Sequence, residues 1–279
     1  MLYPLLFKPI YKKMVWGYES WDISCRPHEM SIVENGVFAG TPFGEVIRQN
    51  PAGVLGTNIK EFPLLVKIIG ADDDLSIQVH PDDEYAAANG FECGKNEMWY
   101  IIKTSGKLII GLKDGTTPEQ LVQNPMGSLN ELAVKPGDIV NIPAGLVHAI
   151  VKGTVLAEIQ QNSDVTFRLY DYGRAGLDGK PRELHVEHAL AVTDFKGRIP
   201  KSVCSSVSSP FFSVSKLKVE NETQETTTAG TFTIYTCVEG SCTVAGVDLP
   251  YPRSVFVPAG MGRHSIVGNA LLLKTTIPG

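Results

Sequence analysis

Four residues of this chain, Gln78, His80, Glu97 and His148, are of the types that hold a divalent metal: two imidazoles, a carboxylate and an amide carbonyl oxygen. Gln78 and His80 belong to the stretch LSIQVHPD, which alternates apolar and polar residues up to a proline. The alternation places Leu75, Ile77 and Val79 on one side of an extended chain and Ser76, Gln78 and His80 on the other. In a small barrel the alternate residues of every strand face the interior, where a polar row is costly unless something satisfies it. A bound cation is one such partner. Two nitrogens and two or more oxygens suit Zn2+ or a similar divalent ion, with one position left for water or substrate. Spacing alone leaves a plainer interpretation open, because no compact HxxxH pattern ties the four together. A lone strand histidine more often sits on the surface or in a satisfied core, and His28, His185 and His188 look like that.

Positioning these residues falls to short strands. From about Phe62 onward the runs FPLLVKIIG, LSIQVH, EMWYIIK, GKLIIGL, DIVNIPAG, VHAIVKG and TVLAEIQQ are of strand length, with turn residues between them. Leu156, Glu158 and Gln160 share one face of the last of these. Helical periods are few, and PDDEYAAANG, TPEQLVQNP and RELHVEHALAV are the helices expected. The pattern predicts a mainly β fold, a sandwich or barrel with short helical insertions.

The chain also echoes itself. EMWYIIKTSGKLIIG followed by VKPGDIVNIPAGLVHAIV is matched late in the chain by TIYTCVEGSCTVAG and YPRSVFVPAGMGRHSIVG. Each copy ends in a Pro-Ala-Gly turn, at Pro143 and Pro258, followed by a histidine. Two copies of one β-barrel unit are therefore expected, residues 1–195 and residues 196–279, the second completed by N-terminal segments. The Ser-, Pro- and Gly-containing stretch Lys196 to Pro210 reads as the connector. The first copy carries Gln78, His80, Glu97 and His148, whereas the second keeps only His264. One barrel is armed and the other is scaffold.

Bulk composition excludes some classes. The 279 residues are 43% hydrophobic and 20% charged, with a net charge of -5 and no clustered Lys/Arg run, so there is no basic footprint for nucleic acid. No apolar run approaches the ~20 residues a membrane helix needs. The opening MLYPLLFKPIYKKMVWG has neither a leading positive region nor a small-residue cleavage site and does not read as a secretory signal. Five scattered cysteines without CxxC spacing read as free thiols in a reducing cytosol, although Cys237 and Cys242 are close enough in sequence for a pairing across a hairpin.

The blocks LSIQVHPDDEYA, GKNEMWYII, IPAGLVHAI and LAEIQQNSDVTFRLYDYGR, with the opening VWGYESWDIS, resemble type I mannose-6-phosphate isomerase in its short bacterial form, within the cupin superfamily. The likeness covers nearly the whole chain, and it departs from the family at Tyr18, where WGY stands for the frequent WGG. It implies two cupin-type (jelly-roll) β barrels with a reduced helical insertion. It also implies one zinc per chain held by Gln78, His80, Glu97 and His148. Arg168 matches the family's catalytic arginine, Lys95 its site lysine and Glu158 a pocket acid. Ser76 is implied as a substrate contact and Trp16 as a wall of the pocket. The implied partner is a small sugar phosphate, with no nucleic acid or membrane, and the chain is expected as a cytoplasmic monomer or weak homo-oligomer.

Such a site suits aldose–ketose isomerisation, here of mannose 6-phosphate and fructose 6-phosphate. A proton moves between adjacent carbons through an enediol(ate), whose oxygen charge a Lewis-acidic ion and a fixed guanidinium stabilise. Taken without the resemblance, Arg168 is a surface arginine paired with Asp164 or Asp171, and Lys95 a solvated loop lysine. Two rival functions remain. One is an Fe(II)-dependent cupin oxygenase, disfavoured by Gln78 where such sites commonly place another histidine. The other is a non-catalytic sugar-binding double barrel, which leaves Arg168, Lys95 and Glu158 without purpose.

Overall fold

The computed structural model describes residues 2–57, 59–196 and 205–278. It is mainly β with a few short helices, as the strand-length runs require, and no described helix is long and apolar enough to cross a membrane. The chain divides into two compact units. One comprises Tyr11–Ser20 and Ile68–Cys204, the other Met1–Ile10, Trp21–Lys67 and Ser205–Gly279. Residues 197–204 of the expected connector lie outside the described residues.

In the first unit the strands Leu129–Ala133, Lys107–Leu112, His148–Ala149, Ile77–Val79 and Phe167–Tyr170 form a five-stranded sheet in that order. A second sheet contains Ile139–Ile142, Glu97–Lys103 and Val155–Gln161 as neighbours. Strand alternation sorts the five-stranded sheet into two faces. Ile77, Val79, Ile109, Ala149, Phe167 and Leu169 look outward into an apolar layer that includes Leu121 and Ala189 of the helices Pro118–Gln123 and Val186–Val192. Leu108, Ile110 and Ile150 look inward and pack against Trp99, Ile101, Val140, Ile142 and Leu156 of the opposing sheet. Gln78, His148 and Arg168 lie on this inner side, because each is directly paired across the ladder: Gln78 with His148 and with Arg168, His148 with Ile110.

Leu75 departs from the expected alternation. The strand begins only at Ile77, and Leu75 packs with the inner cluster alongside Trp16 and Trp99 instead of beside Ile77 and Val79. Its backbone N–H goes to the carbonyl of Ile150, so its direction is set before the Ile77–Val79 ladder starts. The three expected helices form. Asp82 caps Asp83–Ala88 through the N–H of Tyr85, and Thr117 with Gln120 makes a full capping box on Pro118–Gln123. Gly17 is required where it is: its φ is +142°, and a Cβ there would meet the carbonyl oxygen of Gly70 at 2.0 Å.

In the other unit the long strands Ser213–Thr227, Thr233–Val244 and Gly262–Thr276 carry the sheet, and Leu5–Leu6 joins it against Ser254–Val257. Two helices that the sequence pattern did not announce, Phe43–Gln49 and Pro51–Leu55, belong to the same unit. Phe43 meets Phe7, Phe62 and Phe256 at ring-centroid distances of 4.7–5.2 Å. N-terminal residues thus complete the core of this unit. Cys237 and Cys242 are both free and lie on one strand, Thr233–Val244, so there is no hairpin between them to bridge.

Candidate metal centre

The polar end of the first unit's interior gathers His80, Glu97 and His148, whose nearest ligand atoms all lie within 4.8 Å of one another. All three are buried, at 1%, 0% and 0% exposure, although they come from distant parts of the chain. His80 Nε2 is 3.5 Å from one Glu97 oxygen and His148 Nε2 is 3.5 Å from the other. Backbone carbonyls fix both rings. His80 Nδ1 lies 2.9 Å from the carbonyl of Val165, and His148 Nδ1 lies 2.8 Å from that of Leu146. A carbonyl can only accept, so each Nδ1 carries the proton and each Nε2 presents its lone pair to the shared centre.

The electrostatics keep both rings neutral. Burial, aided by the Lys95 ammonium, lowers the His80 pKa to about 4 against the opposing pull of Glu97. Burial also lowers that of His148. For Glu97 burial pushes upward, but Lys95, His80 and His148 outweigh it and hold the acid well below the usual carboxylate range. Two neutral imidazoles and an ionised carboxylate are the protonation states that metal ligands need. The group can therefore hold a metal ion.

Around this core the remaining expected residues occupy defined places. Gln78 lies against it with Nε2 3.4 Å from His148 Nε2, while its Oε1 accepts from Ser76 Oγ at 3.1 Å. As drawn, the Gln78 amide shows its nitrogen to the centre, and an end-for-end turn brings the oxygen there. Lys95 is buried, not a solvated loop lysine; its Nζ lies 2.5 Å from a Glu97 oxygen and 3.1 Å from His80 Nε2. Glu158 is buried and accepts from Trp99 Nε1 at 2.9 Å. Trp16 is 4% exposed and packs in the inner apolar cluster.

Arg168 faces inward from its strand, and its Nε is buried without a hydrogen-bond partner among the described residues. Asp171, one of the two carboxylates expected as its plain surface partner beside Asp164, is engaged by Arg174 through Nε and Nη2 and by Arg182 through the same two atoms, at 2.5–3.0 Å. Burial, then the nearby Arg182, lowers the Arg168 pKa, with Asp171 and Glu183 opposing. Sequence reasoning passed over Trp99, whose indole N–H holds Glu158 and whose ring stands edge-on to His148 at 5.2 Å. Its place opposite Glu158 is set by strand register, so no local signal in the sequence announces it.

Comparison with known proteins agrees with this geometry. Residues 9–101 match the family described as phosphomannose isomerase type I, catalytic domain, and residues 202–277 match the mannose-6-phosphate isomerase cupin domain. The probable mannose-6-phosphate isomerase GmuF of Bacillus subtilis is 34% identical, over 96% of this chain and 98% of its own. The Bacillus subtilis mannose-6-phosphate isomerase ManA is 33% identical over 96% of each chain. Among solved structures, a mannose 6-phosphate isomerase from Bacillus subtilis superposes with a TM-score of 0.87 at 30% identity, covering 98% of this chain and 99% of the other.

Proposed function

The chain belongs to the type I phosphomannose isomerase family, and from that premise we propose that it interconverts mannose 6-phosphate and fructose 6-phosphate in the cytoplasm with one zinc ion per chain. The observation that carries this reading is the buried convergence of His80, Glu97 and His148 on one point. The donor set fits the ion: each imidazole is oriented by a backbone carbonyl, the carboxylate is ionised, and Gln78 stands alongside to add an oxygen. When bound, zinc supplies a redox-silent Lewis acid that polarises the sugar carbonyl.

The chain's own residues do the rest. Arg168 is the charge that meets the enediolate or the phosphate, since the Asp171 carboxylate nearest to it in sequence is already held by Arg174 and Arg182. Trp99 fixes the Glu158 carboxylate, which handles the proton of ring opening. Lys95 binds sugar or phosphate oxygens from beside Glu97, and Ser76 and Trp16 contribute to the substrate pocket. Burial of the whole group excludes water and strengthens each of these interactions.

A coupled assay with mannose 6-phosphate, run with elemental analysis before and after chelation, tests the proposal. About one zinc per chain, activity lost with the metal and activity restored by zinc are expected. Undiminished turnover by metal-free protein, or stoichiometric iron without zinc, overturns it.

A further inference from the structure

We infer that Gln160 is a specificity-determining residue whose side-chain carbonyl oxygen accepts a hydrogen bond from a secondary hydroxyl of the bound sugar; the inference rests on the isomerase function proposed above. Gln160 lies on the strand Val155–Gln161 directly opposite Glu97, so its side chain emerges on the same side as the metal-binding carboxylate. It is completely buried. Its Nε2 donates to the backbone carbonyl of Gln161 at 2.8 Å and to that of Ser163. Both of those partners can only accept, so the amide cannot be turned end for end. Oε1 is therefore held in one orientation, and among the described residues it has no hydrogen-bond partner.

A structural role accounts for the nitrogen of this amide. It braces the segment that leads to Val165, whose carbonyl orients His80. It does not account for the oxygen. Folded proteins seldom leave a buried acceptor unpaired, and an exception calls for a partner outside the chain. Gln78 provides the contrast, because its amide has a neighbour at each end, Ser76 Oγ at one and His148 Nε2 at the other. The Lys95 ammonium contacts Glu97 and His80, and among the described residues neither it nor any other group donates to Gln160 Oε1. Among the described residues, the buried atoms of this unit without a hydrogen-bond partner include the acceptor Gln160 Oε1 and the donor Arg168 Nε. A ligand bearing both hydroxyls and negative charge satisfies the two together, and a sugar phosphate is such a ligand.

The oxygens at C1 and C2 take part in the reaction and that at C5 belongs to the ring until it opens, so the proposed partners of Gln160 are the hydroxyls at C3 and C4. The test compares kcat/KM for mannose 6-phosphate with that for its 3-deoxy and 4-deoxy analogues, using the zinc-loaded enzyme and its Gln160→Met variant. The unmodified enzyme is expected to lose about 5- to 100-fold on one analogue, the penalty of stranding a buried acceptor. Gln160→Met is expected to lose a similar factor on mannose 6-phosphate, to treat that analogue and the parent alike, and to keep its zinc. A merely bracing role lowers stability and leaves the discrimination intact, which overturns the inference. So does an unmodified enzyme that turns over both analogues as well as the parent, a result that stands even if the variant does not fold. An unmodified enzyme inactive on mannose 6-phosphate overturns the isomerase reading and this inference with it, and is told apart from an active enzyme blind to both hydroxyls.

Discussion

Each of the two units buries a carboxylate, and burial leads to opposite outcomes. Glu97 is surrounded by the Lys95 ammonium and two imidazoles, and they overcome desolvation and hold it ionised. Asp22, 2% exposed in the other unit, is pushed up to about 7 by burial, with only Ser254 and the charge of Arg253 opposing. Arg253 is largely committed elsewhere, to Glu34 and to the carbonyl of Phe7. The histidines that follow the two Pro-Ala-Gly turns repeat the contrast. His148 and His264 each hold Nδ1 near the carbonyl two residues back, at 2.8 and 3.0 Å. The free nitrogen of His148 faces Glu97, whereas that of His264 meets the hydroxyl of Tyr235 at 3.3 Å. Its ladder partner Glu225 is taken by Lys274. The same backbone device serves a metal-competent centre where a cationic neighbourhood keeps an acid charged, and a self-satisfied polar core where none does.

Substitution at each of these points separates the two environments. Glu97→Gln keeps the shape and removes the charge. It should abolish stoichiometric metal, measured by elemental analysis, and lower turnover by at least roughly 10²–10³-fold. Retained zinc would dissolve the contrast. Asp22→Asn should act on stability instead. The folded-state value of Asp22, about 7, lies above its ordinary 3.8, so the folded protein binds an extra proton between those values. The resulting stabilisation is full below about pH 4 and disappears as pH rises through 7. Melting temperatures across pH 4–8 should therefore fall more steeply with rising pH for the unmodified protein than for the variant. Equal slopes would show that Asp22 does not titrate in this window. The smallest effect is expected from Tyr235→Phe, which removes one hydrogen bond to His264. A loss of about 1 kcal/mol in unfolding free energy with unchanged kcat/KM is expected. A fall in turnover would mean that the trailing barrel takes part in catalysis.

Much of this architecture was legible in the sequence, for reasons that differ by element. The helices after Asp82 and Thr117 announce themselves through capping residues a few positions from the first turn. The strands carrying Glu97 and Glu158 announce themselves through β-branched and apolar runs. Phe43–Gln49 and Pro51–Leu55 do not, since they are only seven and five residues long, and the first packs through Phe43 against Phe7, Phe62 and Phe256, which are distant in sequence. Leu75 broke a perfect alternation because the backbone of Ile150, distant in sequence, decides where the strand begins.

By itself the sequence determined a mainly β chain, the doubled Pro-Ala-Gly motif and the residue types able to bind a cation, because period-two alternation and turn chemistry act over a few residues. Tertiary structure alone decided that His80, Glu97 and His148 converge, that Arg168 escapes Asp171, and that Gln160 is left with an oxygen to offer. Those outcomes depend on ladder partners such as Gln78–His148 and Glu97–Gln160, some 60 to 70 residues apart along the chain, and on charges that meet only once the sheets have closed.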